Sequence, residues 1–119
     1  MEKVLVLGAS LKQDRYSNMA MRKLSVNNFW VLGLGHKEGD VSGMKIHTEQ
    51  IHIEDLYAVT IYMNGFNQRE FYDYLISLRP HKVIFNPGAE NSDFESLLQE
   101  HGIAWERACT LVLLSLNQF

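Results

Sequence analysis

Apolar and polar positions alternate along the chain in blocks that switch between a strand period and a helix period. Val4-Leu5-Val6-Leu7 is a short, continuously apolar run that stops at Gly8. A strand covered on both faces reads this way, as in the centre of a parallel sheet. Gly8-Ala9-Ser10 then turns the chain, and Ser17 or Asn18 can cap a helix over residues 18–27. In that helix Ala20, Met21 and Leu24 face inward and Arg22 and Lys23 stay wet. Phe29 to Leu34 predicts the second strand, and residues 35–43, with three glycines, predict a turn-rich loop. Lys45-Ile46-His47 is a short extended piece, and Tyr57 to Met63 a stronger strand rich in β-branched and aromatic residues.

Asn67 and Glu70 have capping-box spacing and open a helix to Leu78, with Phe71, Leu75 and Leu78 on one stripe and Pro80 beyond its end. Lys82 to Phe85 is a strand closed by Asn86-Pro87-Gly88. Ser92 and Glu95 form a second capping box, and the helix after them places Phe94, Leu97, Leu98 and His101 on one face, with Gly102 at its C-terminal stop. Ile103 to Trp105 reads as a last strand; Thr110 to Leu116 fits either a strand or a buried helix at this length, with helix preferred. Strands that alternate with helices in this way predict an α/β fold of one domain over residues 1–119. Its form is a Rossmann-like, doubly wound, mainly parallel sheet in three α/β/α layers, with right-handed crossovers. Ligands of such sheets bind outside the carboxyl ends of the strands. Four loops are predicted there: 8–17, 35–37, 63–66 and 86–90.

The length of 119 residues and 46% hydrophobic content suit a single self-supporting core. A net charge of −3 argues against a protein that coats nucleic acid. Charge is split, however: residues 1–45 hold seven Lys/Arg against four Asp/Glu, and the remainder four against ten. The split suits either an anionic ligand held by the first third or ordinary solvated faces. One cysteine, Cys109, rules out an intramolecular disulfide and a multi-cysteine zinc site. It reads as a buried, inert thiol. No secretory leader pattern and no apolar stretch of bilayer length is visible, so a cytoplasmic protein is expected.

Loop 8–17 carries Ser10, Lys12, Arg15 and Ser17 where a Rossmann unit holds phosphate, at a helix N-terminus that attracts anions. It is neither a G-x-G-x-x-G nor a P-loop. After the second strand, where NAD enzymes place an acid for the ribose, stands Gly35-His36-Lys37, and a cation there suits a phosphorylated ribose. Asn86 can either bond a ligand amide or adenine edge, or simply form the turn. Asn64 is similar. The histidines have no metal-ligand spacing, and no G-x-S-x-G or H-E-x-x-H motif is present, so no catalytic set is assigned.

The runs Val4-Leu-Val-Leu-Gly-Ala-Ser10 and Asp14-Arg-Tyr-Ser-Asn18, followed in order by Gly35-His-Lys37, Tyr62-Met-Asn64, Asn86-Pro-Gly88 and Cys109, resemble the small stand-alone CoA-binding domain proteins. These are similar to the N-terminal domain of the succinyl-CoA synthetase α subunit. The resemblance implies coenzyme A as ligand. Its pyrophosphate would lie over Gly8 and the first loop, with Ser10, Lys12, Arg15, Tyr16 and Ser17 lining the phosphates and pantetheine entry. It further implies Lys37 at the phosphorylated ribose and Met63, Asn64, Asn86 and Pro87 beside the adenine or pantetheine. Cys109 precedes Thr110 where relatives often have Cys-Pro. The synthetase's catalytic histidine lies in a domain this chain lacks, so the expectation is a non-catalytic CoA or acyl-CoA binding or sensing module. Two alternatives stay open: a dinucleotide-dependent enzyme, and an interaction protein with a vestigial pocket. The expected partner is a small nucleotide ligand, with neither nucleic acid nor membrane, and the C-terminal apolar run can pair protomers.

Overall fold

A computed structural model of the chain describes residues 1–119. Seven strands form one sheet: β1 (Lys3–Leu7), β2 (Trp30–Leu34), β3 (Gly39–Val41), β4 (Met44–His47), β5 (Leu56–Ile61), β6 (Lys82–Phe85) and β7 (Ala104–Arg107). Their order across the sheet is β3-β4-β2-β1-β5-β6-β7. All neighbours run parallel except β3 and β4, which are antiparallel. The fold is the expected Rossmann-like α/β arrangement. From β1 the chain winds outward to β2 and β4, then returns to β5 on the other side and winds out to β7. The change of direction therefore falls between β1 and β5, and the crevice above it is where such sheets place ligands.

The continuous apolar run of β1 is explained by its two covered faces. Leu5 and Leu7 join a cluster with Val59, Ile61, Leu75, Phe85, Phe94 and Leu98. Val4 and Val6 point the other way, into a cluster with Met21, Leu24, Ile46 and Leu114. The first cluster is roofed by α3 (Tyr72–Leu78) and α4 (Ser92–Glu100), the second by α1 (Tyr16–Val26) and α5 (Thr110–Ser115). Lys23 ties the latter two helices together, donating to the Leu111 carbonyl at 3.1 Å and to the Ser115 hydroxyl.

Several expectations are corrected. The loop at 35–43 contains β3, paired with β4 through a turn in which Ser42 (φ 51°) and Gly43 (φ 87°) are both left-handed. Two positive φ values in a row mark a two-residue type I′ hairpin turn. Neither Ser17 nor Asn18 caps α1. The helix starts at Tyr16, Arg15 is its N-cap without a side-chain bond, and both expected caps are buried. The helix expected to open at Asn67 opens earlier, as α2 (Gly65–Gln68) capped by Asn64; a 3₁₀ turn (Arg69–Phe71) separates it from α3. Asn91, not Ser92, caps α4, accepting from the Phe94 N–H at 3.2 Å. His101 leaves the apolar face and sits exposed at the helix end. No helix is long and apolar enough to cross a membrane.

Candidate functional site

The carboxyl ends of β1, β2, β5 and β6 surround a cavity of about 860 Å³. Ten of the eleven residues expected at a site line it. Gly8, Ser10, Lys12, Arg15, Tyr16 and Ser17 come from the β1–α1 loop, and Lys37 from the loop after β2. Met63 and Asn64 come from the β5–α2 loop, and Pro87 from the β6–α4 loop. A smaller depression of about 450 Å³, beside Met1, Phe29 and Trp30, brings none of these loops together.

Close backbone approach holds the loops in register. The Gly8 and Ala9 N–H groups both donate to the Leu34 carbonyl, at 2.9 and 3.1 Å, which joins the β1 loop to the end of β2. A Cβ on Gly8 would lie 2.8 Å from the Tyr62 carbonyl oxygen, and Gly8 has a φ of +89°. A Cβ on Gly35 would lie 2.3 Å from the Ala9 carbonyl oxygen. Neither position admits a side chain without moving a wall. Asn18 braces the same loop from below, donating to the Ser10 carbonyl at 2.9 Å while its Oδ1 accepts from Arg22 at 2.9 Å.

The cavity's two sides differ in charge. Lys12, Arg15 and Lys37 are exposed at its rim, and none takes part in an ion pair. The Arg107–Glu95 ion pair and the His52–Glu54 contact at 3.8 Å are both made by residues outside the cavity lining. The first turn of α1 holds no acid and its N-cap makes no side-chain bond, so neither offsets the positive end of the helix dipole beside the cavity. Ser10 contributes its hydroxyl to the Lys12 N–H at 3.1 Å. A helix N-terminus flanked by cations is the kind of arrangement that can hold an anion.

The opposite wall is fixed by amides that sequence reasoning missed. Gln68, fully buried, donates to the Met63 carbonyl at 2.8 Å and the Ala89 carbonyl at 2.7 Å. Asn91 donates to Gln68 Oε1 at 2.9 Å and to the Tyr72 hydroxyl at 2.7 Å. These bonds tie the β5 loop to the β6 loop. Nothing in the local sequence marks Gln68 for this, because its partners lie on two separate loops. Ala9, Leu11, His36, Asn67, Glu70, Phe71, Gly88 and Ala89 also line the cavity without having been assigned to it.

Asn86 is the exception among the expected residues. It is buried and does not line the cavity. Its Nδ2 donates to Thr60 Oγ1 at 2.6 Å and to the Ile61 carbonyl at 2.9 Å, and its Oδ1 accepts from the Thr110 N–H at 2.8 Å. Thr60 and Thr110 bond each other at 2.7 Å. With these groups spent inside the protein, Asn86 joins β5, β6 and α5 beneath the floor. Above this network lies Tyr62, whose hydroxyl is buried without a hydrogen-bond partner of good geometry although both threonines are beside it. Burial pushes the Tyr62 phenol up to about 12. Cys109, expected to be buried, is half-buried at the N-cap of α5.

A family model described as a CoA binding domain matches residues 2–115. None of the curated proteins matches the chain. Among solved structures, the chain is similar to an uncharacterized protein at 42% identity and a TM-score of 0.96, covering 100% of this chain and 98% of that one. It is also similar to cell-free ID.343 from Thermus thermophilus (19% identity, TM-score 0.87, 99% and 90% covered). A hypothetical protein from Pyrococcus horikoshii OT3 gives 21% identity, a TM-score of 0.84, and 98% and 84% covered. At that level of identity the last two share the fold alone.

Proposed function

The chain belongs to the CoA-binding domain family, and from that premise we propose that it binds coenzyme A, free or acylated, in the 860 Å³ crevice and acts as a non-catalytic binding or sensing module. The observation that carries this reading is the set of three unpaired cations, Lys12, Arg15 and Lys37, facing one cavity at an uncapped helix N-terminus. The pyrophosphate lies against the start of α1, between Arg15 and Lys12, with the Ser10 and Ser17 hydroxyls beneath it. Lys37, one strand over, takes the phosphate on the ribose. Met63, Asn64 and Pro87 line the path of the pantetheine arm. Asn86, first grouped with them, serves instead as a brace under the floor.

A dinucleotide enzyme is the weaker reading, because His36-Lys37 stands where a ribose-binding acid would be needed. The cytosol, which keeps a thiol such as Cys109 reduced, is the compartment this reading implies. Calorimetric titration with CoA, dephospho-CoA and NAD at fixed salt tests it. CoA should bind, dephospho-CoA should bind more weakly, and NAD should bind least. Arg15→Ala and Lys37→Ala should each weaken CoA binding by about tenfold to a hundredfold, since a charge-assisted contact contributes ~1.5–3 kcal/mol. Both side chains are exposed, so the variants should stay folded. No heat with any of the three ligands would overturn the proposal.

A further inference from the structure

We propose that the crevice sorts thioesters by charge: it accepts CoA esters of uncharged acyl groups and turns away those whose acyl group ends in a carboxylate. The inference rests on the reading of the crevice as a CoA site. CoA carries its charges on phosphates at one end, and its thiol ends a long uncharged arm. Lys12, Arg15 and Lys37 all belong to the loops over β1 and β2. With the phosphates held there, the arm runs across the switch point toward β5 and β6. That half of the crevice carries the opposite charge. Glu70 lines it from the 3₁₀ turn before α3. Glu90 stands beside it, its Oε1 accepting from the N–H of Gly88, a lining residue, at 2.9 Å.

No lysine or arginine lines that half of the crevice. Arg69, next to Glu70 in sequence, lies 3.8 Å over the Phe66 ring and donates to the Phe66 carbonyl. Arg107 feels the charge of Glu90 but is held bidentately by Glu95, at 2.7 and 2.8 Å. A carboxylate at the end of the arm would thus meet Glu70 in the lining and Glu90 beside it, with no cation in the lining of that half. For one pair of unit charges at roughly 7 Å, Coulomb's law between a surface-like and a water-like dielectric gives a penalty of about threefold to about fiftyfold in affinity.

The test compares butyryl-CoA with succinyl-CoA on the full chain, after CoA itself has been titrated. The two esters share a four-carbon acyl chain and differ in a terminal methyl against a carboxylate. The wild-type protein should bind succinyl-CoA about tenfold more weakly, near the middle of that range. The ratio should fall toward one in Glu70→Gln/Glu90→Gln, in part in each single variant, and also as salt is raised. The amide oxygen introduced by Glu90→Gln still offers an acceptor to the Gly88 N–H, so that loop keeps its bond. Binding of CoA with equal affinity for the two esters would overturn the inference and leave the CoA reading intact. A tenfold ratio that persists in the double variant would overturn it too. Failure of CoA itself to bind would instead remove the site reading, and this inference with it.

Discussion

Replacing Gly8 by alanine separates two costs that the structure makes distinguishable by comparison with Gly88. Both glycines have left-handed φ, +89° and +94°. A Cβ on Gly88 would meet nothing within 4 Å, whereas on Gly8 it would lie 2.8 Å from the carbonyl oxygen and 2.9 Å from the carbonyl carbon of Tyr62. Gly88→Ala therefore carries the backbone cost alone, about 1–2 kcal/mol. Gly8→Ala adds the displacement of a packed peptide, about 1–3 kcal/mol more. That peptide cannot yield freely, because the Tyr62 N–H donates to the Leu7 carbonyl at 2.8 Å and the Met63 carbonyl accepts from buried Gln68. The small gain from restricting the unfolded chain is common to both variants and cancels in the comparison. Thermal denaturation followed by the fluorescence of Trp30 and Trp105 measures both. In melting temperature the expectation is a fall of about 4–8 °C for Gly88→Ala and about 8–20 °C for Gly8→Ala, at roughly 4 °C per kcal/mol for a domain of this size. A Gly8→Ala variant no less stable than Gly88→Ala would refute the steric argument, and with it the claim that the β1 and β5 loops are locked together.

Asn86→Ala strands the Thr110 N–H and opens the Thr60 pair, so stability should fall by about 1–3 kcal/mol for the unsatisfied buried group, read from the urea midpoint. Arg107→Met leaves the Glu95 carboxylate, 5% exposed, without its cation. Arg107 holds Glu95 below its ordinary pKa of 4.5. Its contribution is therefore present above that pH and disappears as pH falls through the depressed folded-state value. The gap in melting temperature between wild type and Arg107→Met should be open at pH 7 and close in acid; a gap independent of pH would count against this pair.

The strand–helix alternation was legible because it rests on local pattern. The four-residue run Val4–Leu7 and the stripe of Ala20, Met21 and Leu24 carry their burial in their own spacing. β3 was not legible, since a three-residue strand that begins at Gly39 is too short to show alternation. The caps of α2 and α4 were misplaced by one or a few residues for a shared reason. Asn64, Asn67, Asn91 and Ser92 are all competent caps, and tertiary contacts decide among them: Gln68 and Tyr72 hold Asn91 in place. The candidate site was legible from the sheet rule, which names the loop ends before any contact is known. The purpose of Asn86 was not, because its partners Thr60 and Thr110 stand 26 and 24 residues away.

The misassigned asparagine points to how the crevice is built. The side chains with the best hydrogen-bonding capacity near the strand ends, Asn18, Gln68, Asn86 and Asn91, spend it on the protein, and each joins two or more segments. The cations left free at the rim are Lys12, Arg15 and Lys37, long side chains whose charge is felt without a fixed geometry. Such a site gains affinity from charge and from a rigid floor rather than from a dense set of side-chain contacts to the ligand. Binding in it should then weaken steeply with added salt, roughly in step with the number of cations engaged, while the protein's own stability, resting on buried amides and apolar clusters, responds far less. CoA affinity that holds steady between low and high salt would mean that the cations at the rim do not carry the ligand.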